Sequence, residues 1–226
     1  MVWVKICGIT NFEDAGMVCR LGADAMGFIL STDSPRRVGL DKAKAIVDEV
    51  SKEKIKILKA GVFVNEEIKD ILDFSGKLGL DYVQLSGDED SNFLKKLKDE
   101  SDGFKIIKAL RIKSEEKIVS GSRAHLDKIN QIIREAGRFA DFILLDSYKK
   151  DVYGGTGETF NWRIAGDCSG RIPVILSGGL ESGNVREAID FVKPFGVDAS
   201  SRLELYPGKK DPAKLKEFIS AVRDSE

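Results

Sequence analysis

The chain is poor in the residues on which several large enzyme classes depend. One histidine, His125, stands in 226 residues, so a Ser-His-Asp triad, a His-ligated zinc or a metal-dependent sugar-phosphate epimerase would have to run through that single imidazole. His125 lies in a polar stretch that reads as the start of a surface helix. The three cysteines, Cys7, Cys19 and Cys168, form no Cys-x-x-Cys pair. That argues against a disulfide framework and a structural zinc site, and a reducing, cytoplasmic setting is expected. Charge of either sign is not in excess, with 36 Lys plus Arg against 37 Asp plus Glu, so nothing draws the chain in bulk to nucleic acid or an anionic membrane. Long apolar runs are missing as well. The longest, such as Phe142 to Leu145 and Val174 to Leu176, fall far short of the roughly 20 residues that span a bilayer. The opening Met-Val-Trp-Val-Lys is not laid out as a secretion signal.

What the chain does have is a recurring pattern. Short β-branched and apolar runs begin near Val2, Ala25, Ile57, Tyr82, Phe104, Phe142, Val174 and Gly196. Between them lie helical spacings: Ala43, Ile46, Val47 and Val50; Ile68, Ile71, Leu72 and Ser75; Val185, Ala188, Ile189 and Val192. Asn11, Asn65 and Asp211 precede acidic or proline-led helix starts, the last ahead of Leu215, Phe218, Ile219 and Val222. Near-continuous apolar strands alternating with amphipathic helices, without hairpin signals, imply a parallel sheet covered by helices. An open doubly wound sheet would show a Gly-x-Gly-x-x-Gly turn after its first strand, but Cys7-Gly8-Ile9-Thr10 stands there. Eight strand–helix units without a linker therefore predict a single (β/α)8 TIM barrel over residues 1–226. The longest crossover, Lys113 to Arg138, is expected to hold one helix after an irregular lead-in near Ser120-Gly121-Ser122.

The active end of such a barrel is where the strands stop. Cys7 ends strand one, Asp146 follows four apolar residues at the end of strand six, and Arg36 and Arg37 sit after Pro35 on the second loop. Of the 22 glycines many cluster between Gly154 and Gly183. Ser177-Gly178-Gly179-Leu180 makes either a tight turn or a place where backbone N–H groups approach an anion without Cβ interference. Beside Gly154-Gly155-Thr156-Gly157 and Asp198-Ala199-Ser200-Ser201, the second reading gains weight, because loops seven and eight are the recurrent phosphate cradle of this architecture.

Taken together, Lys5-Ile6-Cys7-Gly8-Ile9-Thr10-Asn11, Gly61-Val62-Phe63-Val64-Asn65, Val83-Gln84-Leu85, Leu144-Leu145-Asp146, Gly154-Gly155-Thr156-Gly157, Leu176-Ser177-Gly178-Gly179-Leu180 and Val197-Asp198-Ala199-Ser200-Ser201 closely resemble the phosphoribosylanthranilate isomerases of tryptophan biosynthesis, in order and up to Pro207-Gly208-Lys209-Lys210-Asp211. The resemblance implies a stand-alone isomerase performing an Amadori rearrangement, with no cofactor and no metal. It makes Cys7 the general base and Asp146 the general acid. Arg36 becomes the ligand of the anthranilate carboxylate, and Gly155, Gly178, Gly179, Ser200 and Ser201 the phosphate site. The implied partner is a small phosphoribosyl substrate, not nucleic acid or membrane, bound by a monomer or homodimer. A free thiol near pKa ~8.5 would need a positive neighbour to serve as base, and Lys5, on the same strand face as Cys7, is the candidate; a carboxyl near ~3.9 would need raising to serve as acid. Cys19 and Cys168 read as inert. Two residues depart from the family pattern: Ser86 where many members have His, and Arg202 where Gly is common. The histidine-pathway isomerase of the same fold is the nearest rival, but it carries Asp in place of Cys7 and two similar half-barrels, and no half-chain repeat is evident here. A non-catalytic phosphosugar-binding barrel is the rival from another class, and the presence of both Cys7 and Asp146 argues against it.

Overall fold

The structure, a computed structural model, describes residues 1–31, 33–53, 56–101, 103–113, 123–148 and 172–225. Eight parallel strands close into a barrel in sequence order: β1 (Trp3–Cys7), β2 (Ala25–Ile29), β3 (Leu58–Phe63), β4 (Tyr82–Leu85), β5 (Lys105–Lys113), β6 (Phe142–Tyr148), β7 (Val174–Ser177) and β8 (Gly196–Ala199). The ring closes through β1 and β8, where Trp3 to Ile6 pair with Gly196 to Ala199. Seven described helices cover it: α1 (Phe12–Arg20), α2 (Leu40–Lys52), α3 (Ile68–Leu78), α4 (Ser91–Glu100), α5 (Arg123–Ala136), α6 (Val185–Val192) and α7 (Pro212–Arg223). The crossover from β6 to β7 and the lead-in at 114–122 lie outside the described residues. Among the described residues no helix is long and apolar enough to cross a membrane.

Strand alternation sorts the apolar residues into two layers. Val4, Ile6, Met26, Phe28, Val83, Ile106, Ile143 and Val197 point outward and pack under the helix stripes of Ile46, Val50, Ile71, Ile189 and Phe218. Burial of each such side chain stabilises the fold by about 1.5–3 kcal/mol. The inward set, Trp3, Ala25, Ala60, Tyr82, Ile107, Ala109, Phe142, Leu144 and Ile175, forms a separate cluster. At the N-terminal end it becomes a closed ring of aromatics: Trp3 to Tyr82 at 5.3 Å, Tyr82 to Phe142 at 5.9 Å, Phe142 to Phe195 at 4.7 Å and Phe195 back to Trp3 at 6.0 Å.

A repeated aspartate pins the same end. Asp24, Asp81 and Asp141 each stand one residue before an even-numbered strand. Each accepts from the backbone N–H of its odd neighbour: Val4 at 2.7 Å, Lys59 at 2.8 Å and Ile106 at 2.8 Å. Each carboxylate is also paired with a cation, Arg223, Lys59 or Lys98 respectively. Register between strands is thus held by side chains as well as by the ladder.

The helix-start signals hold at Asn11 and Asp211, whose side chains accept from Asp14 N–H and from the N–H groups of Ala213 and Lys214. Asn65 is a correction. It adopts φ 52°, and its carboxamide accepts from Asp88 N–H at 2.7 Å, bracing the loop after β4, while α3 begins three residues later. Asn tolerates the left-handed region that this turn needs, which makes it a loop residue here rather than a cap. The expected absence of hairpins is also corrected: β9 (Glu204–Tyr206) and β10 (Lys209–Lys210) form a short antiparallel pair after β8, turning through Pro207 and Gly208 (φ 85°).

Candidate active site

Lys5 and Cys7, two residues apart on β1, both face the barrel interior, and both are buried. Opposite Lys5 in register stands Asp198 of β8, with Lys5 Nζ 2.8 Å from Asp198 Oδ1. The two side chains form a buried ion pair inside the barrel. Burial works against the Lys5 ammonium, but the charges of Asp198 and Cys7 outweigh it and hold its pKa above the ordinary value. For Cys7 the balance goes the other way than a base requires. Burial pushes the thiol up, Lys5 and Lys210 pull it down, Asp198 adds to the rise, and the net shift is upward. Lys5 is therefore the positive neighbour that the sequence suggested, yet the resting side chain is a thiol.

Asp146 projects inward from β6, three strands round the ring, in register with Arg111 of β5 and Ser177 of β7. Burial raises its pKa, Asp198 raises it further, and Arg111 and Lys5 oppose. This is the direction an acid needs. Asp198 thus acts on both groups, and Lys5 tempers both.

Glycine makes the close packing around Cys7 feasible. A Cβ on Gly27, the β2 register partner of Cys7, would lie 2.9 Å from its Sγ and 3.2 Å from Lys5 Cε. A Cβ on Gly8, at φ 77°, would meet Arg36 Cδ at 2.9 Å and Ser200 Oγ at 3.0 Å. Gly8 is accordingly where the ends of β1 and β8 and the second loop converge, and Ser200 Oγ donates to Cys7 O at 3.0 Å.

Of the adjacent arginines, Arg37 is exposed, whereas Arg36 turns inward onto Glu204. Arg36 Nε donates to Glu204 Oε1 at 2.9 Å and Oε2 at 3.0 Å, and Nη2 to Oε2 at 2.8 Å. Burial alone would raise the Glu204 carboxyl, but the hydrogen bonds from Arg36 and the charge and hydrogen bond of Lys210 hold it below the usual carboxylate range. Lys210, fully buried, donates to Glu204 Oε1 at 2.9 Å, Cys7 O at 2.7 Å and Ser200 O at 3.3 Å. Neither Glu204 nor Lys210 was legible as a site residue. The only sequence signal was the Pro207-Gly208 turn that brings β10 back across the end of β8.

Gly178 and Gly179 form the turn after β7 with φ 89° and 69°, and a Cβ on Gly179 would meet open space. Ser200 and the exposed Ser201 lead into a three-residue 3₁₀ turn, Ser201–Leu203, on the adjoining strand end. Arg202, half-buried, is the middle residue of that turn. Gly155 and Cys168 lie outside the described residues, as does the side chain of His125 within α5. Cys19 is buried on α1, its pKa pushed up to about 11 by burial and Glu53, in keeping with an inert thiol. Ser86 accepts from Gln84 Nε2 at 3.1 Å, while the buried Gln84 Oε1 has no partner among the described residues.

A thiol and a raised carboxyl turned into one barrel mouth, with an arginine and a glycine turn on its rim, define a (β/α)8-barrel enzyme of acid–base chemistry on a small anionic substrate. Comparison with known proteins narrows the class. The family described as N-(5'-phosphoribosyl)anthranilate (PRA) isomerase matches residues 4–221. The N-(5'-phosphoribosyl)anthranilate isomerase of Geobacter metallireducens is 42% identical over 223 residues, covering 99% of this chain and all of that one. The crystal structure of phosphoribosyl anthranilate isomerase from Thermotoga maritima superposes with a TM-score of 0.81 at 38% identity, over 99% of this chain and 100% of that one. A further isomerase structure, in complex with reduced 1-(o-carboxyphenylamino)-1-deoxyribulose 5-phosphate, is 36% identical with a TM-score of 0.78 over 99% and 100% of the two chains. The chain belongs to the phosphoribosylanthranilate isomerase family.

Proposed function

We propose that the mouth described above isomerises N-(5-phosphoribosyl)anthranilate to 1-(2-carboxyphenylamino)-1-deoxyribulose 5-phosphate, the Amadori step of tryptophan biosynthesis, with Asp146 and Cys7 as its acid and base. Asp146 gives its proton to the furanose ring oxygen as the C1–O bond breaks, and the nitrogen lone pair forms the iminium. The Cys7 thiolate then takes the proton from C2, giving the enolamine. Return of that proton to C1, as the C2 hydroxyl gives up its own to the Asp146 carboxylate, yields the ketone and restores both groups, so the reaction is redox-neutral and needs no co-reactant. The observation that carries this reading is the opposed placement of two proton-transfer groups on β1 and β6, with Asp198 and Lys5 electrostatically coupled to both.

The upward shift of Cys7 has a chemical consequence. The reactive form pairs a thiolate with a protonated carboxyl, the minor arrangement of that pair, and Lys5 is the charge that stabilises the thiolate in it. Arg36 takes the anthranilate carboxylate on the edge of its guanidinium that Glu204 leaves open, in fork geometry. Gly178, Gly179, Ser200 and Ser201, with Gly155, take the 5-phosphate through backbone N–H and hydroxyl groups. Every group named belongs to one chain, so a monomer or a homodimer serves equally.

The test is decay of anthranilate-type fluorescence when freshly prepared phosphoribosylanthranilate meets the purified protein. Catalysed loss of that signal is expected. A folded protein that left the substrate to its uncatalysed decay, or that turned over only the two-phosphate substrate of the histidine pathway, would overturn the reading.

A further inference from the structure

Arg36 does not stand alone on its loop. Three of its donor contacts go to Glu204, a side chain only 3% exposed, and that carboxylate is shared with Lys210, which is 0% exposed. The third member reaches back to the chemistry: Lys210 Nζ donates to the backbone carbonyl of Cys7 itself and to that of Ser200. Arg36 keeps a side chain 20% exposed, and its Nε and Nη2 are the atoms turned to Glu204, so Nη1 is not among these contacts. A buried carboxylate with one cation beneath it and another above it leaves one net positive charge, carried by the group at the surface. Nothing in the packing of an ordinary barrel requires such a cluster, since burying three charges is expensive unless each is paired and hydrogen-bonded.

We propose that Glu204 and Lys210 are positioning residues that fix the open edge of Arg36 relative to Cys7, so that a substrate held by its carboxylate presents its C2 hydrogen to the thiolate. Glu204 orients the guanidinium by a two-pronged contact, and Lys210 locks Glu204 to the very residue whose side chain abstracts the proton. The device rests on the reading of Arg36 as the carboxylate anchor. It extends that reading by assigning the orientation of the anchor to the hairpin after β8, which contributes no atom to the substrate. Without Glu204 the same arginine would sample several rotamers, and the carboxylate would have to order it on binding.

The experiment compares kcat and KM for phosphoribosylanthranilate and for the analogue built on aniline, which lacks the carboxylate, in the wild type, Glu204→Gln and Arg36→Met. Gln keeps an oxygen for Lys210 and removes the charge that holds Arg36. On the true substrate Glu204→Gln is expected to raise KM roughly tenfold, as for loss of a charge-assisted contact, and to lower kcat as C2 loses its alignment with the thiolate; on the aniline analogue it should match the wild type. Adding Glu204→Gln to Arg36→Met should then cost nothing further in KM. If Arg36→Met shows the carboxylate-dependent penalty and Glu204→Gln shows none, or penalises both substrates alike, the positioning role is wrong while the anchor stands. If Arg36→Met itself penalises both substrates alike, the anchor reading fails, and the proposal with it. Should Glu204→Gln not fold, Glu204→Asp carries the same test, since it keeps the charge for Lys210 but is one methylene too short for the two-pronged contact. A wild-type KM in Glu204→Asp would overturn the proposal.

Discussion

The two ends of the barrel interior obey opposite rules. At the N-terminal end Trp3, Tyr82, Phe142 and Phe195 close a ring of aromatic contacts, and Asp24, Asp81 and Asp141 have their hydrogen bonds taken up by neighbouring strands and cations. At the C-terminal end, among residues equally buried, Lys5 Nζ, Asp198 Oδ1 and Gln84 Oε1 are left without hydrogen-bond partners among the described residues. Of the four buried side-chain polar atoms without a hydrogen-bond partner among the described residues, three lie at the mouth and one, Trp3 Nε1, lies in the aromatic ring. A buried ion pair is costly to desolvate, and a buried amide oxygen without a partner costs on the order of 1–3 kcal/mol, so their concentration at the mouth marks where the fold gives up stability to hold polar groups.

Substitutions at the two ends should therefore separate turnover from stability. The largest effect is expected at Cys7: Cys7→Ala should lower kcat by about 10²–10⁴ or more, with thermal midpoint and substrate affinity little changed. Near-wild-type turnover in the folded variant would remove the thiol from the chemistry. At the other end Phe142→Ala opens the aromatic ring and should cost about 3–5 kcal/mol of stability, read by denaturant titration, while kcat per folded molecule stays near that of the wild type. A matching loss of kcat would mean that the two ends are coupled.

Asp146→Asn should lower kcat by about 10² or more, and the pH profile identifies the reason. Both groups are shifted upward, so the thiolate–carboxyl pair has a constant population between the Asp146 and Cys7 pKa values. Below the Asp146 pKa that population falls because protons return to the thiolate; above the Cys7 pKa it falls because the carboxyl ionises. Wild-type kcat/KM should thus be level between two limbs, whereas Asp146→Asn should rise with pH up to the Cys7 pKa without a plateau. A plateau that survived the substitution would assign the acid elsewhere.

Gly27→Ala sharpens the comparison, because its new Cβ would press on Cys7 Sγ and Lys5 Cε. A loss of about 10–10² in kcat with modest destabilisation is expected from displacement of Cys7 if it is the base proposed above. Unchanged kinetics would show that the thiol has room to move. The smallest effect belongs to Asp141→Ala, which frees Ile106 N–H and Lys98 at the N-terminal end. It should cost about 1–3 kcal/mol in stability and nothing in kcat.

Much of this was legible beforehand for particular reasons. The starts of β2, β4, β6, β7 and β8 are sharp because an Asp, Pro or exposed residue gives way to a buried run, and the other three lie within one residue of where the apolar runs begin. The α2, α6 and α7 stripes are buried as their spacing requires. Asn65 misled because Asn serves both helix caps and left-handed turns, and only the position of Asp88 distinguishes the two. The hairpin after β8 was missed because Glu204–Tyr206 and Lys209–Lys210 are too short and polar to show a period.

The same division runs through the site. Strand parity is local, so the sequence by itself determined that Lys5 and Cys7 share the inward face, that Asp146 follows Phe142 and Leu144 into the barrel, and that Gly178 and Gly179 end a strand. Which of Arg36 and Arg37 turns inward, that Asp198 acts on both Asp146 and Cys7, and that the Cys7 thiol rises despite Lys5 were decided only by the tertiary structure. The physical reason is reach: those outcomes depend on charges and burial contributed by strands separated by up to almost 200 residues, which meet because β8 closes on β1.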